Sequence, residues 1–71
     1  MSGVNLLDVV ALTADLPEEQ LARGQVGTVV ELLGSDVYEV EFSDDQGHAY
    51  AQLPLRDEQL MVLRYQRPQA A

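Results

Sequence analysis

Seventy-one residues carry twelve carboxylates against four arginines, with no lysine and no cysteine, for a formal net charge of −8. A chain this short buries only about 60% of its unfolded surface, which argues against an enclosed substrate cavity of the ~300 Å³ or more that ligand pockets need. Without cysteine there is no disulfide, thiolate zinc site or thiol chemistry, and so few cations suit neither nucleic-acid phosphates nor anionic membranes. The hydrophobic fraction of 46% belongs to a folded domain rather than a disordered chain.

The opening "MSGVNLLDVV" lacks the basic region and long apolar core of a secretory signal, and no run approaches the ~18 apolar residues of a membrane span. A cytoplasmic protein is the expectation. Residues 1–5 read as an N-terminal arm. "LLDVVAL", residues 6–12, has the length and β-branching of a strand. "TADLPEEQLARG", residues 13–24, predicts an ordered loop with one helical turn pinned by Leu16 and Leu21. Asp15 is its expected cap, Pro17 fits the first turn, and Gly24 the left-handed end.

"VGTVVELL", residues 26–33, is the second expected strand. Strict alternation puts Thr28, Val30 and Leu32 on one face and Val29, Glu31 and Leu33 on the other, while Gly27 marks a bulge or a close backbone approach. "GSD", 34–36, is a turn. "VYEVEFS", 37–43, alternates cleanly, with Tyr38, Val40 and Phe42 inward and Glu39, Glu41 and Ser43 outward. "DDQG" turns the chain into "HAYAQLPL", which Pro54 ends or places at an edge. "LRDEQ" is the length of one 3-10 turn, "LMVLRY" is the last strand, and residues 66–71, "QRPQAA", form a flexible tail. The sum is all-β: five short strands over residues 6–65, a long first loop, and a one-turn 3-10 helix before the final strand. Closing so small a sheet hides its edges, and this order of elements predicts an SH3-like barrel.

With "LLDVVALTADLPEEQLARGQVGTVVELL", "YEVEFSDDQG" and "LPLRDEQLMVL" in place, the chain resembles a bacterial family of small stand-alone proteins whose function is unknown. The likeness runs from about Leu6 to Leu63. More distantly, "GTVV" followed by "YEVEF" is similar to the SH3-like domain of nitrile hydratase β-subunits and, in spirit, to ribosomal KOW-type domains. These resemblances imply an SH3-like barrel and bring no catalytic residue. The hydratase active site lies on the other subunit, so no metal comes with the likeness. KOW domains that bind RNA use basic loops, which this chain lacks. The family resemblance also implies the company of a second small protein, as in toxin–antitoxin pairs.

The stretch "YEVEFSDDQGHAY" gathers Glu39, Glu41, Asp44, Asp45, the only histidine, His48, and Tyr50. Asp44, Asp45 and His48 are zinc- or manganese-type ligands. Their spacing, however, straddles a hairpin turn in which Asp and Gly serve the backbone, and no fourth ligand is in sight. Glu39 and Glu41 share a strand face, with Glu31 opposite; carboxylates do acid–base work when their surroundings split them, and a solvated face does not. Asp15, Glu18 and Glu19 form a second acidic cluster in the first loop. Arg56 with Asp57 and Glu58 reads as a local surface ion pair. No phosphate-cradling glycine loop and no nucleophile motif is present.

The expectation is therefore a non-catalytic, cofactor-free module. Glu31, Glu39, Glu41, Asp44, Asp45, His48 and Tyr50 would meet a basic protein partner, with complementary charge speeding encounter. Its most concrete form is an antitoxin or immunity-type inhibitor of a basic, nuclease-like protein. The alternatives are a structural subunit or homo-oligomer joined through a strand edge or the "LLDVV" segment, and a surface whose charge serves solubility alone.

Overall fold

The structure, a computed structural model, describes residues 3–67; Met1 and Ser2 of the expected arm and residues 68–71 of the expected tail lie outside them. Five antiparallel strands, β1 (Val9–Leu12), β2 (Val26–Leu32), β3 (Val37–Ser43), β4 (Ala49–Arg56) and β5 (Leu60–Val62), form one sheet in the order β4-β3-β2-β1-β5. Two 3-10 turns punctuate it, at Pro17–Glu19 and Asp57–Gln59. The all-β class, the strand count and the 3-10 turn before the last strand are as expected.

One connection shapes the sheet. β4 and β5 are its outer strands, yet only the turn Asp57–Gln59 separates them. Four residue steps, from Arg56 to Leu60, span at most about 14 Å even when fully extended. Laid flat, strands about 4.8 Å apart would put the outer two some 19 Å from each other. The sheet must therefore curl, which brings apolar residues of every strand into one cluster: Val10 and Leu12, Val29, Tyr38 with Val40 and Phe42, Leu55, and Leu60. It stops short of a ring, because β4 and β5 do not pair. The result is a barrel-like, open version of the expected architecture. Val10, Val29, Val40 and Phe42 are wholly shielded from solvent, each such burial being worth roughly 1.5–3 kcal/mol relative to exposure.

β1 and β5 are shorter than their sequences suggest. Leu6 and Leu7 are not part of β1: Asp8 N–H donates to Asn5 C=O and Asn5 N–H to Asp8 Oδ2, closing a turn in which Leu7 takes a left-handed φ of 70°. β1 thus starts at Val9, and the bond from Leu63 N–H to Val9 C=O is the last rung offered to β5. Residues 63–65 consequently leave the sheet. In the first loop, Leu16 and Leu21 exchange backbone hydrogen bonds, and Leu21 is buried, so both pin the loop as expected. Asp15 does not cap the 3-10 turn, which has no side-chain cap; its Oδ1 accepts from Arg23 N–H at 2.8 Å instead. Gln20, at φ 59°, ends the turn, while Gly24 is left-handed farther on.

Two register shifts redirect side chains. In β2, Val29 stands opposite Val40 but Glu31 opposite Glu39, so Val30 is an extra residue. A bulge inverts the in–out alternation beyond it. Glu31 therefore turns away from the face of Val29, contrary to the strict alternation expected, and joins Glu39 on the outer side. In β4, Phe42 stands opposite Ala51 and Ser43 opposite Ala49, which makes Tyr50 the extra residue.

The free edge of β4 is blunted. Asp57 N–H reaches Asp36 C=O across β3; by the two-residue alternation of a strand, the backbone nitrogens of Arg56, Pro54 and Gln52 then face outward. Pro54 has no N–H to offer, and Arg56 N–H is taken by Gln59 Oε1 at 2.8 Å. Pro54 thus marks an edge, one of the two readings of its place in the sequence.

Gly27 is the one glycine among the described residues at which a side chain would clash. A Cβ there would lie 2.8 Å from Val40 Cγ1, 2.9 Å from the Glu41 carbonyl oxygen and 3.0 Å from Phe42 Cδ2. Gly27→Ala is expected to destabilise the fold by about 1–3 kcal/mol through overpacking. Gly34→Ala, with open space around it, should stay within about 0.5 kcal/mol. Urea unfolding of the two variants measures both, and equal midpoints would remove Gly27 as a packing constraint.

Candidate functional site

The outer face of β2 and β3 carries three carboxylates, Glu31, Glu39 and Glu41. Glu31 lies directly opposite Glu39, and Glu41 opposite Thr28 on one side and Gln52 on the other. Directly opposed residues bring their Cβ atoms to about 4.5–5.5 Å, and like charges so placed repel. One neutral contact answers this: Gln52 Nε2 donates to Glu39 Oε2 at 3.1 Å. No cation does. Among the described residues the ion pairs are His48–Asp44 and Arg56–Glu58. Glu39 and Glu41 are half-buried and Glu31 is exposed, and the three carboxylates form a ridge on the sheet.

The hairpin between β3 and β4 uses its polar residues on itself. Asp44 Oδ1 accepts from Gln46 N–H and from His48 N–H, both at 2.9 Å. Asp44 N–H donates to His48 C=O, Gly47 N–H to Asp44 C=O, and Gly47 takes φ 84°. A short aspartate that accepts two turn amides organises the turn, which is what its side-chain length suits. Asp44 Oδ2 stands 3.7 Å from His48 Nδ1, both side chains being largely exposed, so any ion pair there contributes little. Asp45 is exposed. No group of three or more His, Asp or Glu side chains converges as a metal site among the described residues.

Tyr50 belongs to another neighbourhood. Its ring centroid is 6.4 Å from that of inward-facing Phe42, and its hydroxyl accepts from Gln25 Nε2 at 3.0 Å. The bulge that makes Tyr50 the extra residue turns it away from the carboxylate ridge. The expected contact residues thus divide three ways: Glu31, Glu39 and Glu41 on one face; Asp44, Asp45 and His48 at the hairpin tip; Tyr50 beside Phe42. Arg56 and Glu58 pair as expected, Arg56 Nε donating to Glu58 Oε1 at 2.8 Å.

Two residues that matter here carry no signal in the sequence. Gln25 accepts from Ala22 N–H while donating to Tyr50, which ties the first loop to β4. Gln52 supports Glu39. Glutamine at an exposed position marks nothing by itself, and only the register puts these amides within reach.

Asp44→Ala should destabilise the fold by about 1–2 kcal/mol through loss of two turn hydrogen bonds. Asp44→Asn, which keeps an Oδ1 acceptor, should recover most of that, and His48→Ala should stay within about 0.5 kcal/mol. Thermal and urea unfolding check the order. If His48→Ala were the worst of the three, the hairpin histidine would have a role this geometry does not give it.

A protein-family model described as a domain of unknown function (DUF4926) matches residues 6–62, almost the stretch over which the sequence resembled a family of that kind. No curated protein and no solved structure matches the chain. Among the described residues, no helix is long and apolar enough to cross a membrane. With the match covering all five strands and both 3-10 turns, the chain belongs to the DUF4926 family of domains of unknown function.

Proposed function

We propose that this protein is a non-catalytic binding module that docks a basic protein partner on the outer face of β2 and β3, and that it works in the cytoplasm as an antitoxin- or immunity-type inhibitor. The observation that carries the reading is the ridge of Glu31, Glu39 and Glu41, in which Glu31 stands opposite Glu39 and none of the three forms an ion pair among the described residues. Directly opposed like charges destabilise a sheet, and a lysine- or arginine-rich surface laid over them would relieve that repulsion. The net charge of −8 extends the attraction beyond the contact and speeds encounter with a cationic partner. Inhibition would be steric and electrostatic: the sheet covers the surface with which a nuclease-like partner holds phosphates.

A second reading, homo-oligomerisation, is favoured by one feature. Leu6 and Leu7 are 51% and 69% exposed, and Leu7 holds a left-handed backbone of a kind that costs a non-glycine residue about 1–3 kcal/mol. Two leucines presented to solvent at that cost would suit a contact between copies. Strand pairing along β4, in contrast, meets Pro54 and the occupied Arg56 N–H.

Affinity capture from host lysate at about 0.05 M salt, repeated at about 0.3 M, separates the readings. The native chain should retain basic proteins at low salt and release them at the higher one. Glu31→Gln/Glu39→Gln/Glu41→Gln should retain them at least about tenfold less while unfolding at a similar temperature. Retention indifferent to salt and to the triple substitution would refute the docking face. A stable dimer in light scattering, broken by Leu6→Ser/Leu7→Ser, would establish the second reading.

A further inference from the structure

The outer face of the sheet is acidic on one half and apolar on the other. Val10 and Leu12 of β1, and Leu60 and Val62 of β5, serve the core, so strand alternation turns Val9, Ala11 and Met61 outward. Pairing sets them in rows. Met61 stands opposite Ala11, and Ala11 opposite Val26. In the next row Leu63 N–H donates to Val9 C=O, Val9 stands opposite Thr28, and Thr28 opposite Glu41. Met61 and Val26 are 56% and 46% exposed, with the small Ala11 buried between them. Val9, Thr28 and Leu63 are half-buried.

The apolar half departs from the pattern of a solvated face. β3 obeys that pattern, with Glu39, Glu41 and Ser43 outward. β1 reads VVAL, apolar on both faces, which is the composition of a strand covered on both sides, yet Met61 and Val26 on either side of it stay open to solvent. A contiguous apolar area on an otherwise polar face marks an interaction site. The area lies on a face of the sheet and not at an edge, and a sheet face is covered by a second layer, most simply a helix. From β5 to β3 is three strand spacings, about 14 Å, close to the ~10–12 Å diameter of a helix.

We infer that an amphipathic helix of the basic partner lies on this face, with apolar side chains over Val9, Val26, Met61 and Leu63 and arginine or lysine along one flank over Glu39 and Glu41. Charge complementarity chooses this occupant. Thr28 is a single strand step from Glu41, about 5 Å, so whatever covers the apolar half brings its flank to the carboxylates. A second copy of the chain would set a net charge of −8 against another of −8, and surfaces of like charge repel. Apolar burial supplies affinity that salt does not screen, and the carboxylates fix the direction in which the helix lies. The inference rests on the reading of the chain as a binder of a basic protein; it adds the apolar half of the surface and the form of the partner's segment.

Fluorescence anisotropy on the full chain tests it with a labelled peptide of about 14 residues, carrying leucines at three- and four-residue spacing and arginines along one flank. A control peptide has the same residues in an order that destroys the stripe. Saturable binding of the striped peptide is expected, at least about tenfold tighter than that of the control. Val26→Thr/Met61→Gln, at two exposed positions and close to the native side chains in shape, should weaken it about tenfold, with a similar melting temperature and the same salt dependence. Glu39→Gln/Glu41→Gln should weaken it and flatten the salt dependence. Absence of saturable binding, equal binding of the control peptide, or unchanged affinity in Val26→Thr/Met61→Gln would each overturn the inference. So would a native dimer in light scattering that Val26→Thr/Met61→Gln converts to a monomer, since the face would then belong to a second copy. Unchanged peptide affinity in Val26→Thr/Met61→Gln, with lysate capture still lost in the triple glutamate substitution, removes the apolar half alone and leaves the ridge. Peptide binding that needs Val26 and Met61 but not Glu39 and Glu41 overturns the cationic flank and the ridge together.

Discussion

The fold turns on a length mismatch. The outermost strands of a five-stranded sheet are joined by one 3-10 turn, too short to reach across a flat sheet of that width. Curling is the only arrangement that satisfies both the hydrogen-bond ladder and the connection. Once curled, the sheet has an inner side narrow enough to be filled by a small set of side chains, and Phe42 with three valines fills its centre. Gly27 follows from the same constraint: where the strands wrap most tightly around Val40 and Phe42, no side chain fits. A chain of 71 residues has little surface to bury, and a curled sheet uses it economically.

The same curvature sorts the charge. No charged side chain is buried among the described residues, so the carboxylates are left to the surface, where they gather on the convex face, at the hairpin tip and in the first loop. On the convex face they meet one another, because a bulge at Val30 carries Glu31 to the side of Glu39. In the first loop Asp15, Glu18 and Glu19 border a shallow depression with Leu53 and Pro54. At the hairpin tip Asp44 is absorbed by the backbone. Acidic groups of similar composition thus have different physical roles, and the ridge, which forms no ion pair among the described residues, is the one proposed to meet a partner.

Much of this was legible in the residues. The alternation of Tyr38, Val40 and Phe42 against Glu39, Glu41 and Ser43 places β3 without ambiguity, because a strand's period of two leaves each side chain one choice of face. Asp-Gly chemistry announces the hairpin, and "LRDEQ" the second 3-10 turn. Legibility fails where one residue is inserted or withdrawn. Strict alternation puts Glu31 with Val29, and nothing in "VGTVVELL" signals that Val30 is skipped. "LLDVVAL" reads as seven strand residues, yet the Asn5–Asp8 turn removes Leu6 and Leu7, and β5 shortens with it. Asp15 looks like a helix cap, but its carboxylate is close to a different amide once the loop folds back on Arg23.

The sequence by itself determined the class of fold, the core alternation of β3, the turns, the absence of thiol chemistry and the acidity, because each of these depends on composition or on neighbours a few residues apart. The tertiary structure alone decided the bulge at Val30 that brings Glu31 to the face of Glu39, and that Tyr50 leaves the carboxylates for Phe42 and Gln25. Those facts depend on register, and register is set by pairing between strands distant in the chain, where a single extra residue moves every later side chain to the opposite face.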